Sequence, residues 1–301
     1  MDDDGISPLQ VRSLPARNEF DEEGYLQLHP DIARGVTAGR IESGWQHFAR
    51  AGFAEGRQWF TRPDPFLGVK REISPGDEMF IGNETHYFDV GESALHAIEN
   101  ALFTARRPRS TVNRILDLPC GHGRVLRFLL KAFPEAELTA CDLNQAGVDF
   151  CARTFGAVPV PSRRETEAIP LHGEFDLIWC GSLLTHLPAG QWTAFLRLFH
   201  RLLGHRGILV FSTHGRHYEP ELAAGMNPHG IDDRQIPDLL RGFREQGFAY
   251  ADYPARAGYG FSLAHPSFVL SRFIASDSWR LIGYHEAGWD RRQDVISLQK
   301  T

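Results

Sequence analysis

The feature that most constrains the fold is the stretch Ile115–Leu126, in which an apolar run passes through a glycine-rich turn into an amphipathic segment. A buried strand that feeds a helix through such a turn brings free backbone N–H groups and a helix N-terminus up to a ligand. Gly121 and Gly123 supply two small residues. A dinucleotide-binding turn needs a third small residue three positions after the second glycine. The large Leu126 occupies that position here, which argues against a dinucleotide such as NAD. A phosphate P-loop is excluded as well, because no Gly-Lys-Ser/Thr follows.

From residue 115 onward, strand patterns and helix patterns alternate, which predicts a parallel sheet with crossover helices. The predicted strands are 115–118, 137–142, 157–160, 175–180 and 207–212, and the predicted helices are 92–106, 122–133, 145–154, 188–203, 234–246 and 266–275. Two closing strands, 279–286 and 294–300, are typical of an antiparallel hairpin at a sheet edge. The expected fold is α/β: a doubly wound, mostly parallel seven-stranded sheet with an antiparallel C-terminal hairpin.

Composition shifts along the chain predict its division into parts. Residues 1–18 are expected to be a disordered lead-in, and 19–60 a small helical module of short pieces. Residues 61–75, with three prolines, form the predicted linker. The remaining 76–301 make up the α/β domain. Within it, 214–264 break the strand–helix rhythm and are rich in His, Gly, Pro and aromatic residues, so we expect them to form a cap over the site.

Charge and cysteine content narrow the class of protein. The formal net charge is −6 and no block of basic residues occurs, which argues against a dedicated nucleic-acid binder. No apolar run approaches the roughly 18–20 residues of a membrane span. The first residues lack the profile of a signal peptide, and the four cysteines form no metal-type CxxC pair. These patterns favour a reduced, cytoplasmic protein.

An acidic residue at the end of the second predicted strand narrows the choice of ligand. Asp142 ends the second predicted strand, about 20 residues beyond Gly121, the spacing at which an acid can accept both hydroxyls of a ribose. The missing third small residue, by contrast, argues against a pyrophosphate. An adenosine without phosphates points to S-adenosylmethionine (SAM) as the cofactor.

Residues 76–300 resemble a class I SAM-dependent methyltransferase, through the first motif LDLPCGHGR and the second-strand end CDLN. That resemblance implies that Asp117, Cys120 and Gly121 line the methionine end of SAM. It also implies that Asp142 holds the ribose hydroxyls, with Leu143 against the adenine. Pro119 stands where the family usually has its first glycine, and its fixed φ leaves the later N–H groups free. The further cofactor positions that follow from the resemblance are Gly123, Ser162, Cys180 and Gly181.

The candidate catalytic residues are two histidines. SAM carries its own leaving group, so the protein must align an in-line displacement and, for a hydroxyl acceptor, remove its proton. His186, beyond the fourth strand, is the first candidate base and His214, at the end of the fifth, is the second. No metal is expected, because Gly181–Ser182 occupy the place where a carboxylate cluster would lie. Tyr259 and Trp289 either form a wall for an acceptor ring or pack the closing hairpin.

Residues 19–60 resemble a small module that accompanies bacterial glycosyltransferases and methyltransferases. The matching residues are Tyr25, Leu26, Pro30, Asp31, Ile32, Val36, Gly39, Ser43, Gly44, His47, Phe48, Gly52, Glu55, Gly56 and Arg57. The module is expected either to dock on a protein of a glycosyltransferase pathway or to act as a structural cap. Because similar modules are found with glycan-building enzymes, the expected reaction is O-methylation of a saccharide or glycan intermediate. The alternatives are a small-molecule N or C acceptor, a non-catalytic SAM-binding scaffold, and a nicotinamide-dependent oxidoreductase.

Overall fold

The structure is a computed structural model that describes residues 14–60, 66–227, 229–273 and 277–301. The chain divides into two compact units, Met1–Gly68 and Val69–Thr301. Most of the lead-in expected over 1–18 lies outside the described residues, as do residues 61–65 of the expected linker. Arg17–Glu19 form one turn of 3-10 helix. The domain boundaries drawn from composition therefore stay predictions.

The first unit contains the short helices expected from its sequence. They are α1 (Glu22–Leu28), α2 (Pro30–Thr37) and α3 (Gly44–His47), and α3 continues into a π-helical turn over Phe48–Gly52. The side chains of Asp21 and Ser43 cap α1 and α3, since each accepts a backbone N–H of the first turn. The buried core of the unit is small and mostly aromatic, and it consists of Phe20, Tyr25, Ile32 and Phe48.

The second unit begins with a long helix and continues with alternating strands and helices. Its α-helices are α4 (Glu84–Thr104), α5 (Leu126–Ala132), α6 (Gln145–Phe155), α7 (Ala189–Leu202), α8 (Tyr218–Ala223), α9 (Ile236–Gln246) and α10 (Pro266–Ser271). Short 3-10 helices cover Arg109–Thr111, Thr166–Ala168, Leu184–His186 and Asp233–Gln235. Helix α4 begins eight residues before the predicted start, because Asn83 caps it through the N–H of His86. Helix α5 begins four residues late, because the glycine turn occupies the positions before it.

Seven strands form one sheet, as predicted. They are β1 (Arg114–Asp117), β2 (Glu137–Asp142), β3 (Val158–Pro161), β4 (Phe175–Cys180), β5 (Leu203–His214), and a closing pair. The order in the sheet is β3-β2-β1-β4-β5, followed by the last strand of the chain and then the one before it. The pairings among β1 to β5 are parallel. Their carboxyl ends therefore meet at one edge, where α/β sheets bind ligands.

The sequence missed a separate two-stranded sheet. It pairs β6 (Phe248–Tyr253) with β7 (Arg256–Ala264) in antiparallel fashion, inside the expected cap of residues 214–264. The two closing strands of the main sheet are β8 (Trp279–Trp289) and β9 (Gln293–Lys300). They form the predicted antiparallel hairpin, and β9 also runs antiparallel to β5. Helix α9 packs on the small sheet around a core of its own.

Among the described residues, no helix combines the length and the apolar character needed to cross a lipid bilayer.

Candidate functional site

The glycine turn after β1 is organised by Asp142, at the end of the neighbouring strand β2. One oxygen of its carboxylate accepts the N–H of Gly121 and the other accepts the N–H of Asn144, both at 2.8 Å. Gly121 and Gly123 have φ values of +51° and +79°, which L side chains rarely adopt. The peptide bond between Leu118 and Pro119 is cis. Each carboxylate oxygen of Asp142 retains a second lone pair, so it can still accept a ligand hydroxyl.

Asp117 is the most unusual polar group of this turn. It is 1% exposed, and neither carboxylate oxygen has a hydrogen-bond partner among the described residues. Burial, with a smaller contribution from the charge of Asp142, raises the pKa of Asp117 well above its ordinary value. Buried polar groups are nearly always paired, so an orphaned carboxyl at a glycine turn indicates a place for a ligand that donates hydrogen bonds or carries positive charge.

Close packing behind the turn is supplied by glycines on two helices. A Cβ on Gly147 of α6 would lie 2.3 Å from the carbonyl oxygen of Gly121, and a Cβ on Gly91 of α4 would lie 2.4 Å from that of Arg124. A Cβ on Gly121 itself would meet nothing within 4 Å, so the ligand side of the turn is open. The motif has Leu126 where a third small residue would be expected. Gly147 and Gly91 could not be recognised from the motif, because they are distant from it in sequence.

The remaining residues expected at the cofactor differ in what they can offer. Leu143 is 62% exposed beside Asp142, an unusual position for a large apolar side chain. Ser162 is buried, and its N–H donates to the carbonyl oxygen of Asp142 at 2.8 Å. Cys120 is buried within the turn. The side chain of Cys180 is fully buried in the sheet core. Only its backbone can therefore contact a ligand.

Gly181 marks a tight approach at the end of β4. A Cβ there would lie 2.8 Å from Trp179 and from Trp289, whose rings contact each other edge to face at 5.1 Å. The indole N–H of Trp289 donates to the carbonyl oxygen of Val90 at 2.9 Å. Trp289 therefore packs the closing hairpin on α4, the structural alternative to the acceptor wall.

The next residue, Ser182, has φ +57°, which is strained for a residue with a side chain. A network holds it in place: its N–H donates to Ser212 Oγ at 2.8 Å, and Gln293 Nε2 donates to its Oγ at 3.2 Å. Ser212 Oγ in turn donates to Gln293 Oε1 at 2.7 Å. Sequence reasoning did not single out Ser212 or Gln293, because they lie on β5 and β9. The network points Ser182 Oγ toward His186 Nε2, at 3.5 Å.

His186 is held by the hairpin of β6 and β7. Its Nδ1 lies 3.0 Å from the carbonyl oxygen of Gly260 and 3.0 Å from the hydroxyl of Tyr253. A carbonyl can only accept, so Nδ1 carries the proton in the neutral ring and Nε2 keeps its lone pair. Burial lowers the pKa of His186, an effect that the Gly260 carbonyl partly opposes. The ring of Tyr259 lies 5.1 Å away. The neutral ring is the form that can accept a proton.

His214 lies in the same group of side chains, but it is 1% exposed and neither ring nitrogen has a hydrogen-bond partner among the described residues. Its ring centroid is 5.9 Å from that of His186 and 4.8 Å from that of His229. Burial, with the neighbouring His229 and His186, lowers its pKa well below the ordinary value. The structure thus brings the two predicted histidines together and adds His229, which the sequence did not single out.

Two surface grooves lie away from this group of residues. A groove of about 410 Å³ lies on α1 and α2 of the first unit, and another of about 240 Å³ is lined by residues of α7 and the 3-10 turn Thr166–Ala168. Neither includes Asp117, Asp142 or His186. Within the described ranges no group of three or more His, Cys, Asp or Glu side chains could hold a metal ion. The site is identified by its orphaned buried polar groups.

Comparison with known proteins finds a family to which part of the chain is similar. Residues 115–207 match the family described as a methyltransferase domain. The chain is 29% identical over 128 residues to malonyl-[acyl-carrier protein] O-methyltransferase of Anoxybacillus flavithermus, covering 42% of this chain and 48% of the relative. It is 31% identical over 166 residues to ribosomal RNA small subunit methyltransferase C of Pasteurella multocida, covering 52% and 45%. The chain thus spans about half the length of these relatives.

Solved structures resemble the chain at lower sequence identity. An S-adenosylmethionine-dependent methyltransferase from Clostridium acetobutylicum has a TM-score of 0.46 and 14% identity, over 73% of this chain and 93% of its own. A SAM-bound amino pentose methyltransferase from Micromonospora echinaspora has a TM-score of 0.46 and 19% identity, over 71% and 92%. The family match at 115–207 begins with β1 and its glycine turn and extends into β5. Over residues 115–207 the chain is therefore similar to a methyltransferase domain.

Proposed function

We propose that this protein transfers the methyl group of SAM to a hydroxyl oxygen of a small-molecule acceptor, and that His186 accepts the hydroxyl proton. The observation that carries the proposal is the contact of His186 Nδ1 with the Gly260 carbonyl at 3.0 Å, which puts the proton of the neutral ring on Nδ1 and leaves Nε2 as the acceptor, where the Ser182 hydroxyl at 3.5 Å gives way to the acceptor hydroxyl. A saccharide or glycan intermediate is the preferred acceptor class. The two relatives named above differ in acceptor, an acyl-carrier protein in one and ribosomal RNA in the other, so their names do not select one.

The residues at the turn fit the cofactor. Asp117 has two orphaned carboxylate oxygens for the positively charged methionine end. The open face of Gly121 admits a ligand close to the backbone, and Asp142 has lone pairs for ribose hydroxyls. The exposed Leu143 offers an apolar surface for the adenine. When bound, SAM supplies an electrophilic methyl group whose bond to sulfur breaks with the electron pair remaining on sulfur.

The protein's own residues then have two tasks. The site must hold the acceptor oxygen in line with the methyl group, because alignment supplies much of the rate in such a displacement. As the new C–O bond forms, the hydroxyl proton passes to His186 Nε2. The Gly260 carbonyl, which accepts the Nδ1–H, stabilises the imidazolium that results. A partly buried, neutral His186 provides the base form at physiological pH.

The test begins with calorimetry of the full chain with SAM and with NADH. SAM binding without NADH binding is expected, and the absence of SAM binding would remove the whole proposal. A methyl-transfer screen over glycan, phenol and amine acceptors then identifies the acceptor type. For a hydroxyl acceptor, His186→Gln should lower kcat by about 100-fold to 10,000-fold with little change in SAM affinity.

The matched control is His205→Gln, an exposed histidine at the far end of β5, which should keep wild-type turnover. Full turnover by His186→Gln would remove the base assignment. Exclusive turnover of an amine would replace the hydroxyl acceptor with a nitrogen one, and SAM binding without transfer to any acceptor would favour a scaffold role. Docking of residues 19–60 on a glycosyltransferase-pathway protein stays a prediction.

A further inference from the structure

Beside His186 lies a second polar group that the proposed reaction leaves unused. His214 Nδ1, His214 Nε2 and His229 Nε2 are all buried, and none makes a hydrogen bond of ordinary geometry among the described residues, although the backbone of Ser262 approaches the His214 ring closely enough to favour its charged form. The two rings are 4.8 Å apart, centroid to centroid. Phe261 stacks on His214 at 4.4 Å, and Tyr218 contacts it at 4.4 Å. Because these rings cover the faces of the imidazole, the two nitrogens at its edge are the groups left to bind a ligand.

Three orphaned nitrogens are a substantial cost in a folded protein. Each buried donor or acceptor without a partner has given up the hydrogen bonds that water makes with it in the unfolded chain. His214 lies at the end of β5, whereas His229 lies in the loop between α8 and α9. Two distant segments thus bring unpaired nitrogens to one place, next to the base. Such an arrangement indicates a ligand that completes the hydrogen bonds.

The chemistry of the rings selects an uncharged ligand. Burial, together with His186 and Arg292, lowers the pKa of His229 to about 4, and the pKa of His214 is lower than its ordinary value for similar reasons. All three imidazoles are therefore neutral near pH 7, and each neutral ring has one N–H donor and one lone pair. A hydroxyl group matches both, because it donates and accepts. A carboxylate or a fully ionised phosphate can accept from the imidazole N–H groups, but it has no proton to donate to the imidazole lone pairs.

We propose that His214 and His229 form a subsite that binds a second hydroxyl of the acceptor, adjacent to the one that His186 deprotonates, so that the acceptor is a vicinal diol. This inference rests on the proposed function and specifies its substrate. His186 lies 5.9 Å from His214 and 6.4 Å from His229, centroid to centroid. Two neighbouring oxygens, each about 2.8 Å from a ring nitrogen, can bridge rings at such separations. Tyr259 offers a flat surface for the ring that carries the diol.

A vicinal diol comes from two sources, a sugar-like aliphatic ring or a catechol, and one binding experiment separates them. The full chain is saturated with S-adenosylhomocysteine and titrated by NMR with four probes: cis-cyclohexane-1,2-diol, cyclohexanol, catechol and phenol. In one of the two pairs, the diol should bind about tenfold more tightly than its mono-hydroxyl partner. A preference in the aliphatic pair assigns the sugar-like source, and a preference in the aromatic pair assigns the catechol.

Two variants of His229 test the assignment to the subsite. His229→Phe, and the smaller His229→Leu, should each abolish the preference for the diol while the mono-hydroxyl probe keeps its affinity. His205→Phe, the same substitution at an exposed histidine of β5, should keep the preference. Unchanged affinity for S-adenosylhomocysteine in all three variants shows that they are folded.

Equal affinity of diol and mono-hydroxyl probes in the wild type overturns the subsite, as does an equal loss for both probes in the His229 variants. Displacement of the diol by inorganic phosphate at equal concentration also overturns it, in favour of an anionic acceptor. The proposed function is tested separately on the same sample. SAM binding and methyl transfer to a mono-hydroxyl acceptor, without a diol preference, leave that function standing, whereas loss of SAM binding overturns both.

Discussion

At the scale of single residues, Asp117 shows a conflict between stability and binding. The apolar run alone placed this carboxylate near the end of β1. The sequence did not reveal that both oxygens are buried without a partner among the described residues. That depends on β2 and β4, whose backbone groups near Asp117 pair with β1 in parallel ladders on its two sides. An isolated buried carboxylate costs free energy that a bound cation or donor returns.

Replacing Asp117 by Asn should stabilise the free protein and weaken SAM binding. Because folding raises the pKa of Asp117, the unfolded chain releases this proton at a lower pH than the folded protein does. The wild-type protein therefore loses stability as the pH rises above 3.8, the ordinary value. Asp117→Asn should therefore match the wild type near pH 3.5 and become more stable as pH rises, by about 1–3 kcal/mol at pH 7. Urea unfolding at several pH values, with calorimetry for SAM, measures both effects. Asp89→Asn, an exposed position on α4, is the control. A less stable variant at pH 7 would contradict the burial argument.

His186 leads to a prediction about pH. Its pKa is lowered by burial from the ordinary value of 6.5, so the ring is neutral, and able to accept a proton, at any pH above that value. The rate of transfer to a hydroxyl should thus be level above pH 6.5 and fall only at lower pH, as the ring becomes protonated. Profiles of kcat/KM against pH measure this, with SAM affinity followed in parallel. An acidic limb centred above 6.5 would show that another group is the base.

At the scale of elements, the glycine turn is shaped by the helix that follows the next strand. Gly147 on α6 approaches the carbonyl oxygen of Gly121 so closely that even a methyl group would clash. The same helix begins at the Asn144 cap, beside the Asp142 carboxylate that holds the turn. Turn and helix are therefore one packed unit, and a change in either moves the N–H groups of the turn.

Two helical glycines give a matched test of that packing. Gly147→Ala should destabilise the protein by about 1–3 kcal/mol and weaken SAM binding, because the carbonyl of Gly121 must move. Gly190→Ala, near the start of α7, should be neutral or stabilising by about 0.5 kcal/mol, since a Cβ there meets nothing within 4 Å. Thermal unfolding and SAM calorimetry on both variants measure the contrast. Equal effects at the two positions would show that close approach to the turn is not the cause.

Elements with a strong local pattern were predicted and an element with a weak one was missed. The strands β1 to β5 are apolar runs, and their positions are confirmed within a few residues. The hairpin of β6 and β7 was missed, although only Pro254–Ala255 separate its strands. The signal available in the sequence was the alternation of Ala249 and Ala251 with the larger Phe248, Tyr250 and Asp252, and the structure buries the two alanines. Glycines at 258 and 260 masked it, because glycine is usually depleted in strands.

At the scale of the whole molecule, every residue of the candidate site lies within the second unit, Val69–Thr301. The turn residues, the three histidines and the hairpin that holds His186 all belong to it, and the first unit has a separate core. A truncated chain of residues 69–301 should therefore fold and bind SAM with the affinity of the full protein. Calorimetry on both chains measures this. Loss of SAM binding on truncation would assign a role in the site to residues 1–68.

The sequence by itself determined the strand–turn–helix at 115–126, the acid at the end of β2 and the order of elements, and through these the cofactor class. Those features depend on backbone preferences and on the period of apolar residues, which act over short stretches of chain. Only the tertiary structure decided that His186, His214 and His229 meet, that they are neutral, and that Gly147 and Gly91 support the turn. Burial and contact arise between segments far apart in sequence, and the packing of β7 against β5 and against the turn Leu184–His186 brings these segments together.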